Sequence, residues 1–306
     1  MSKLSTAIKL IKENRNEFLV SVLENLNFLF PDKLYLKLKF RLKMGCSLSL
    51  ANPKTFSEKL QWLKLYNRNP LYTTLVDKYA VKKWVADKIG EDHVVPTLGV
   101  WNNACEIDFD KLPNQFVLKT TNGGGGDVVI CKDKLKLDKE YVVKHLNQGL
   151  KKNIYNKHRE WPYKNVPPRI IAEKYMEDES GALRDYKFFC FNGTPKIFLL
   201  YNDRYNDKKM TIDFFDEKGN WLDLTHPEFG RSEASPALPI CFDELLLLAK
   251  ELSQKIPFVR TDFYVVENKI FFGELTFYPT SGFAPYSPHR WEERMGDLLK
   301  LPVKEI

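Results

Sequence analysis

The stretch 258–282 combines acidic, basic and hydroxyl side chains at spacings that could bind a metal ion. Two apolar runs flank the polar tip Glu267-Asn268-Lys269, and this pattern predicts two antiparallel strands joined by a short turn. A turn centred on Asn268 places Val266 opposite Ile270. The pairing of the remaining residues follows from that register.

Four side chains of this hairpin would project from one face, because alternate residues of a strand point to the same side. Asp262 would lie opposite Glu274, and Arg260 opposite Thr276. Carboxylates that face each other directly destabilise a hairpin, so this pair indicates a cation between them, and oxygen ligands suit Mg²⁺. The alternative is a carboxylate pair on a solvated face.

A second group of candidate residues surrounds four consecutive glycines between two predicted strands, 115–121 and 127–132. The glycines are Gly123, Gly124, Gly125 and Gly126. Backbone N–H groups of such a loop can turn toward a phosphate, and Lys119 would place its ammonium beside the same group. No Gly-Lys-Ser/Thr follows, so this is not a Walker A loop. The alternative is a flexible hairpin tip.

Two further strands carry candidate ligands. The predicted strand 169–176 ends in polar residues, and its end could contact an adenine base through Tyr175 and Met176; the alternative is an ordinary buried strand. Asp185 and Lys187 share one face of the next strand, which makes Lys187 a second candidate for binding phosphate. The alternative there is a salt-bridged surface strand.

Composition bounds the class of protein. The chain has 306 residues, 43% of them hydrophobic, which is enough for two or three compact units. The net charge of +7 fits an anionic partner, whether a nucleotide, a polyanionic glycan, a membrane surface or a nucleic acid. Five scattered cysteines without a C-x-x-C pair favour a reducing compartment, so we expect a cytoplasmic protein. We find no secretory signal and no stretch long and apolar enough to span a membrane.

Periodicity predicts an α+β fold with antiparallel sheets, because helices and strands mix without regular βαβ alternation. We expect helices over 3–43, a helix capped by Thr55 or Ser57, and one long helix over 71–89. A strand over 93–100 contains Pro96, which predicts an edge strand or a crossover. The expected organisation is a mainly helical region over 1–110, a small subdomain with the glycine loop over 111–190, and a large subdomain with the metal site over 191–306.

Basic and apolar residues alternate near the end of the helical region, over 35–43. Such a helix could contact a membrane or an acidic glycan, so residues 1–43 are a candidate for peripheral membrane contact at the inner face. The alternative is a solvated helix packed on the body of the protein.

The order of these motifs resembles the ATP-grasp superfamily and, within it, the TupA-like (teichuronopeptide-biosynthesis-like) group found in polysaccharide gene clusters. The resemblance covers about residues 50–300 and implies two α+β subdomains that grip ATP. The segments that carry it are Asp77-Lys78-Tyr-Ala-Val, Phe116-Val-Leu-Lys119, Ile171-Ala-Glu173, Asp185-Tyr-Lys187, Val259-Arg-Thr-Asp262 and Phe272-Gly-Glu274-Leu-Thr276.

The resemblance implies ATP and Mg²⁺ as cofactors and assigns roles residue by residue. For ATP it implies Lys78, Lys119, Gly123, Gly124, Gly125, Gly126, Glu173, Tyr175, Met176, Asp185 and Lys187. It implies Asp262, Glu274 and Thr276 as the metal site, with Arg260 and Lys187 as catalytic cations. One departure is Thr276, where most of the superfamily has Asn. A hydroxyl is a weaker Mg²⁺ ligand than an amide carbonyl, so this residue weakens the expectation that a second metal ion binds.

The activity implied is that of an ADP-forming carboxylate–amine ligase that works through an acyl phosphate. Its substrates would be an amino acid and a uronic-acid unit of a bacterial surface polysaccharide. Three alternatives stay open: a kinase of the same fold, a glycosyltransferase, and a protein that binds membranes or nucleic acid. For a glycosyltransferase only Asp108-Phe-Asp110 has the Asp-x-Asp pattern, and no RNA-binding motif accompanies the basic residues, so we expect no nucleic-acid partner.

The acceptor side is expected to involve residues that follow the second strand of the hairpin. These are Ser281, Gly282, His289 and Arg290, of which the last two could grip a carboxylate. The alternative is that they cap a helix and lie on the surface.

Overall fold

The computed structural model describes residues 15–123, 126–178, 183–202, 210–226 and 228–303. Gly124, Gly125 and the first part of the predicted helical region, 1–14, lie outside the described residues. The described helices are α1 (Arg15–Asn25), α2 (Asp32–Met44), α3 (Phe56–Tyr66), α4 (Leu71–Val76), α5 (Ala80–Ile89), α6 (Lys139–Leu150), α7 (Ile154–His158), α8 (Phe242–Ser253) and α9 (Arg290–Leu298).

Nine described strands form two antiparallel sheets. The strands are β1 (Thr97–Trp101), β2 (Phe116–Thr120), β3 (Val128–Cys131), β4 (Ile170–Lys174), β5 (Asp185–Phe191), β6 (Thr194–Asn202), β7 (Thr211–Asp216), β8 (Phe258–Val266) and β9 (Lys269–Thr276). One sheet has the order β1-β4-β2-β3, and the other has the order β7-β6-β5-β8-β9. These pairings confirm the predicted α+β class with antiparallel sheets and the edge position of β1.

Helices cover both faces of the five-stranded sheet. Neighbouring phenylalanines of its central strand β5 point to opposite sides, and each contacts a helix on its own side. Phe188 lies 6.1 Å between ring centroids from Phe242 of α8, and Phe189 lies 5.9 Å from Phe56 of α3. Every residue of β5 is buried. The candidate ligands on this strand therefore project from a rigid, fully packed element.

The four-stranded sheet has one covered face and one face turned toward a cleft. Phe116 and Leu118 of β2 pack with Leu146 of α6 in a separate core. Val117 and Lys119, which alternate with them, are only partly buried and line the cleft. The sheet thus holds one side of the cleft by burying its other face.

Two of the helices before the sheets have recognisable end signals. Thr55 caps α3 with a reciprocal capping box, in which its side chain accepts from the N–H of Glu58 and the Glu58 carboxylate accepts from the N–H of Thr55. Helix α2 ends at Gly45, whose φ of 72° is the left-handed conformation that glycine adopts readily. Within the described residues no helix is long and apolar enough to cross a membrane. The division of the chain near residues 110 and 190 stays a prediction.

Candidate active site

A break between α4 and α5 brings Lys78 into the cleft, where one continuous helix over 71–89 was expected. That prediction was wrong because Asp77 starts a new helix. Its Oδ1 accepts from the N–H groups of Tyr79 at 2.9 Å and Ala80 at 3.1 Å, and its Oδ2 accepts from Arg169 at 2.5 Å. The ammonium of Lys78 donates to the carbonyl of Gly123, next to the glycine loop.

The β8–β9 hairpin reaches the predicted pairing by a different register at its turn. The turn has two residues, Glu267 and Asn268, both with positive φ, as in a type I′ turn. Val266 therefore pairs with Lys269, and the expected pair with Ile270 is wrong.

A bulge then compensates for the shift of one residue. Phe263 pairs with Phe272, and Asp262 pairs with Glu274, so Gly273 is the extra residue of β9. A Cβ at Gly273 would lie 3.1 Å from the Asp262 carbonyl oxygen. This distance is shorter than an ordinary contact, so a side chain at this position would displace the Asp262 backbone. The predicted pairs Asp262–Glu274 and Arg260–Thr276 are both present.

The cation between the two carboxylates is the guanidinium of Arg260. Its Nε donates to Asp262 Oδ1 at 2.7 Å, and its Nη2 donates to Asp262 Oδ2 at 2.6 Å and to Glu274 Oε1 at 3.0 Å. Burial opposes the charge of Arg260, but Asp262 outweighs that penalty and raises the pKa of the guanidinium. The opposed carboxylates are therefore held together by a fixed positive charge.

Lys187 adds a second cation on the same carboxylate. It lies on β5 directly across from Asp262 of β8, and its Nζ donates to Asp262 Oδ2 at 2.6 Å and lies 3.2 Å from Asp185 Oδ1. Burial would lower the pKa of Lys187, but Asp262 and Asp185 reverse the direction and raise it. Lys187 is thus a buried ammonium held in its charged form.

A second ionic cluster lies across the cleft and joins β2, β4 and α5. The carboxylate of Glu173 contacts Lys82 and Lys119, each at 2.6 Å. Burial works against ionisation of Glu173, but the two ammonium groups lower its pKa to about 2. Lys82 was not identified from the sequence, because nothing there distinguishes it from its neighbour Lys83. Lys83 pairs instead with exposed Asp87.

These clusters face one cleft of about 390 Å³, a size that suits a small-molecule ligand. The predicted residues that line it are Lys78, Lys119, Glu173, Tyr175, Met176, Asp185, Lys187, Arg260 and Glu274. Apolar side chains that sequence reasoning missed also line it: Val94, Val95, Val117, Val128, Ile130, Leu183 and Phe272. Alternation along β2 could have identified Val117, which shares a face with Lys119.

Four described ATP and metal candidates are not among the residues that line the cleft: Asp262, Thr276, Gly123 and Gly126. Asp262 lies directly behind Arg260 and Lys187, and the hydroxyl of Thr276 is 3.4 Å from Glu274 Oε1. Gly123 is closely packed, because a Cβ there would lie 2.6 Å from Thr120 Oγ1. At Gly126 a Cβ would meet nothing within 4 Å.

The four acceptor candidates lie outside the residues that line the cleft. Ser281 donates to buried Glu160 at 2.5 Å, and the carbonyl of Gly282 accepts from Gln61 at 2.8 Å. His289 immediately precedes α9, and Arg290 pairs with Asp223. These contacts describe the anchoring of the segment after β9, and the acceptor role of the four residues stays a prediction.

The donor set fits Mg²⁺ in its chemistry. Carboxylates are hard oxygen ligands, and Mg²⁺ is usually held by one or two of them together with substrate phosphates and water. Asp262 and Glu274 supply two such groups, paired across the hairpin and open to the cleft through Glu274. Among the residues that the structure describes, no cluster of three or more His, Cys, Asp or Glu side chains could bind a metal alone. Two carboxylates suit an ion that takes its remaining ligands from phosphate and water.

The sequence matches a family model described as TupA-like ATP-grasp over residues 58–300. The match spans more than half of the chain, so the protein belongs to the TupA-like ATP-grasp family. No curated protein matches the sequence.

Several solved structures are similar in fold at low identity. D-alanine–D-alanine ligase from Bacillus anthracis complexed with ATP is 13% identical, with a TM-score of 0.40 over 67% of this chain and 54% of that one. The ligase of the same name from Helicobacter pylori is 16% identical, with a TM-score of 0.43 over 80% and 69%. A RimK domain ATP-grasp protein from Sphaerobacter thermophilus is 12% identical, with a TM-score of 0.42 over 76% and 70%.

The matched region of this chain spans just over half of the Bacillus anthracis ligase with bound ATP.

Proposed function

We propose that the protein is an ATP-dependent, ADP-forming carboxylate–amine ligase. The observation that supports this most directly is the concentration of paired charges around one cleft. Lys78, Lys119, Lys187 and Arg260 present positive charge to it, and Glu274 contributes a carboxylate. Transfer of a phosphoryl group requires mainly positioning and neutralisation of phosphate oxygens, which such a cleft provides.

The two sides of the cleft suit different parts of ATP. Val117 and Ile130 on one sheet, with Met176 after β4, form an apolar surface on which an adenine ring would pack. Lys119 and Lys78 lie at the end nearer the glycine loop and would contact the phosphates. Asp185, beside Lys187, is our candidate for binding the ribose.

The proposed reaction has two steps. A substrate carboxylate oxygen attacks the γ-phosphorus, the bond to the bridging oxygen breaks, and ADP leaves with that electron pair. An amine then attacks the acyl phosphate carbon, inorganic phosphate leaves, and the new amide nitrogen loses a proton to solvent or a nearby base. Arg260 and Lys187 would stabilise the charge on the transferring group.

Asp262 and Glu274, assisted by Thr276, are the residues that would hold Mg²⁺. The bound ion would neutralise phosphate charge during the first step. In the described structure Arg260 already bridges the same two carboxylates, so its guanidinium is well placed to share them.

For the substrates we propose an amino acid as the amine and a uronic-acid unit of a bacterial surface polysaccharide as the carboxylate. The support is membership of the TupA-like ATP-grasp family. The basic balance of the chain suits a polyanionic substrate. We place the reaction in the cytoplasm, where ATP is available.

The test is a hydroxylamine assay with purified protein, ATP, Mg²⁺ and a uronic acid. We expect a hydroxamate and ADP in equal amounts, because hydroxylamine replaces the amine in the second step. Asp262→Asn and Glu274→Gln should abolish both products, while Glu217→Gln, an exposed carboxylate paired with Lys196, should not change them. Formation of AMP and pyrophosphate would refute the proposal.

The same assay separates the alternatives. A kinase would produce ADP and a stable phosphorylated sugar that does not react with hydroxylamine. A glycosyltransferase would bind a nucleotide sugar, but neither Asp108 nor Asp110 lines the cleft. Asp108 instead caps a short 3-10 helix, and Asp110 contacts exposed Lys139.

A further inference from the structure

The N-terminal helices expose an unusual concentration of large apolar side chains. Among the described residues, 17 large hydrophobic side chains are exposed, and seven of them lie between Leu19 and Leu38. The seven are Leu19, Val22, Leu26, Phe28, Leu29, Leu34 and Leu38. Phe28 and Leu29, in the short connection between α1 and α2, are the most exposed of the set at 76% and 61%.

A row of basic residues runs beside the exposed apolar residues of α2. On α2, Lys33, Lys37 and Arg41 follow each other at intervals of four and are exposed, while Leu34 and Leu38 form the adjacent exposed row. The opposite face of the same helix is buried through Tyr35, Leu36, Lys39 and Phe40. Helix α2 is therefore packed on the protein through one face and presents an amphipathic second face outward.

The charges on this region are not balanced. Each acidic residue of α1 and α2 has a basic partner: Glu17 pairs with Lys43, Glu24 with Lys39, and Asp32 with Arg68 and Arg159. Lys33, Lys37 and Arg41 have no carboxylate within 4.0 Å among the residues that the structure describes. A net positive charge therefore remains at the outward face.

Helix α2 and the connection before it are anchored to the body of the protein, and the Glu24–Lys39 ion pair joins α1 to α2. The Tyr35 hydroxyl donates to the carbonyl of Lys157 at 2.7 Å, and Arg159 donates to the carbonyl of Asn27 at 2.5 Å. Lys39 donates to the same Lys157 carbonyl at 2.7 Å. The outward face is thus presented in a fixed orientation relative to the rest of the chain.

We propose that this outward face of α1 and α2, with the Phe28–Leu29 tip, binds peripherally to an anionic membrane surface. Exposed apolar side chains at the tip would enter the boundary between head groups and acyl chains, and the adjacent basic row would contact acidic head groups. A second copy of this chain fits less well, because a two-fold contact would bring two basic rows close together. This inference is independent of the chemistry proposed for the cleft.

The test is flotation of the full chain with vesicles of phosphatidylcholine alone and of phosphatidylcholine with phosphatidylglycerol. We expect binding only to the anionic vesicles and weaker binding at high salt, because exposed charges are screened. Lys33→Gln, Lys37→Gln and Arg41→Gln together should weaken binding by roughly a hundredfold. Phe28→Ser with Leu29→Ser should weaken it by at least about tenfold.

Two matched variants are the controls. Lys144→Gln, Lys250→Gln and Lys300→Gln remove three exposed charges elsewhere, and Leu135→Ser with Leu247→Ser removes two exposed apolar side chains elsewhere. Both should bind as the unmodified chain does. Thermal unfolding of each variant checks that it is folded.

Three results would overturn the proposal. The first is absence of binding of the unmodified chain to anionic vesicles. The second is an equal loss of binding in the control variants. The third is a dimer in light scattering that Phe28→Ser with Leu29→Ser converts to a monomer, which would assign this face to a second copy. Loss of ligase activity without loss of flotation would concern the cleft alone.

Discussion

The ion pairs of Glu173 should contribute strongly to stability, and Glu173→Gln tests this. The carboxylate is buried between Lys82 and Lys119. Its pKa falls from 4.5 to about 2 in the folded state, which corresponds to about 3 kcal/mol of unfolding free energy at pH 7. Removing one partner of a buried ion pair typically costs roughly 3–5 kcal/mol, because the remaining charge stays buried without compensation. The two arguments agree in size.

The pH dependence has a defined sign. The pKa of Glu173 is lower in the folded state, so its contribution is complete above the unfolded pKa and is lost as pH falls toward 2. Of the contribution at pH 7, about 1.4 kcal/mol should be lost by pH 3.5. The difference in stability between the unmodified chain and Glu173→Gln should therefore shrink as the solution is acidified.

The assay is urea unfolding without ATP at pH 7 and at pH 3.5. Glu177→Gln is the control, since Glu177 lies four residues further on, is 48% exposed and contacts Lys132 at 3.6 Å; it should change stability by less than about 0.5 kcal/mol. Adding Lys82→Met to Glu173→Gln should recover part of the loss, because only one unpaired ammonium then remains. A loss below about 1 kcal/mol for Glu173→Gln, or one that does not change with pH, would refute the reasoning.

Three further predictions concern the β8–β9 hairpin and helix α3. Gly273→Val should reduce stability by roughly 1–3 kcal/mol in urea unfolding and weaken ATP binding in calorimetry, because its side chain would press on the Asp262 backbone. Gly230→Ala is the control and should have neither effect, since a Cβ at Gly230 would meet no atom within 4 Å. Lys64 of α3 is buried and donates to the carbonyls of His158 and Ser281. Burial lowers its pKa from 10.5 to about 7, so the unfolded chain binds more protons between these values, and stability should rise by roughly 2 kcal/mol from pH 7 to 9. Lys64→Met should lack this rise in urea unfolding. Arg260→Lys should lower the rate of ADP formation by roughly a hundredfold, since an ammonium cannot bridge two carboxylates as a guanidinium does, and an unchanged rate would remove Arg260 from the proposed mechanism.

The hairpin shows which part of a register a sequence specifies. The common face of Asp262 and Glu274 follows from alternation, because the apolar residues between the polar ones must face the core, whereas their pairing was predicted from the position of the turn. The turn does not follow, since a turn centred on Asn268 and a two-residue turn are both compatible with the tip. The bulge at Gly273 makes up the difference of one residue. Faces were therefore predictable where burial constrains them, and the turn was not.

The break at Asp77 shows the limit of periodicity. Leu75, Tyr79 and Val85 fit one helical stripe, so their spacing gives no sign of the break between α4 and α5. What ends α4 is local capping by the Asp77 side chain together with a contact to Arg169, which lies 92 residues further on. Long-range contacts of this kind, like those that bring Lys82 to Glu173, are set by tertiary packing and are invisible to a local pattern.

The paired charges explain how the cleft can hold several cations without a bound anion. A buried ammonium or guanidinium loses several kcal/mol of hydration, so a row of unpaired cations would destabilise the fold. Glu173 offsets this cost for Lys82 and Lys119, and Asp262 does so for Lys187 and Arg260. The phosphates proposed to bind there would meet cations that are already desolvated and fixed in position, so little reorganisation remains for the ligand to drive. The carboxylates thus keep the cleft stable in the absence of ATP and ready for an anion, which is why their removal should affect stability and turnover together.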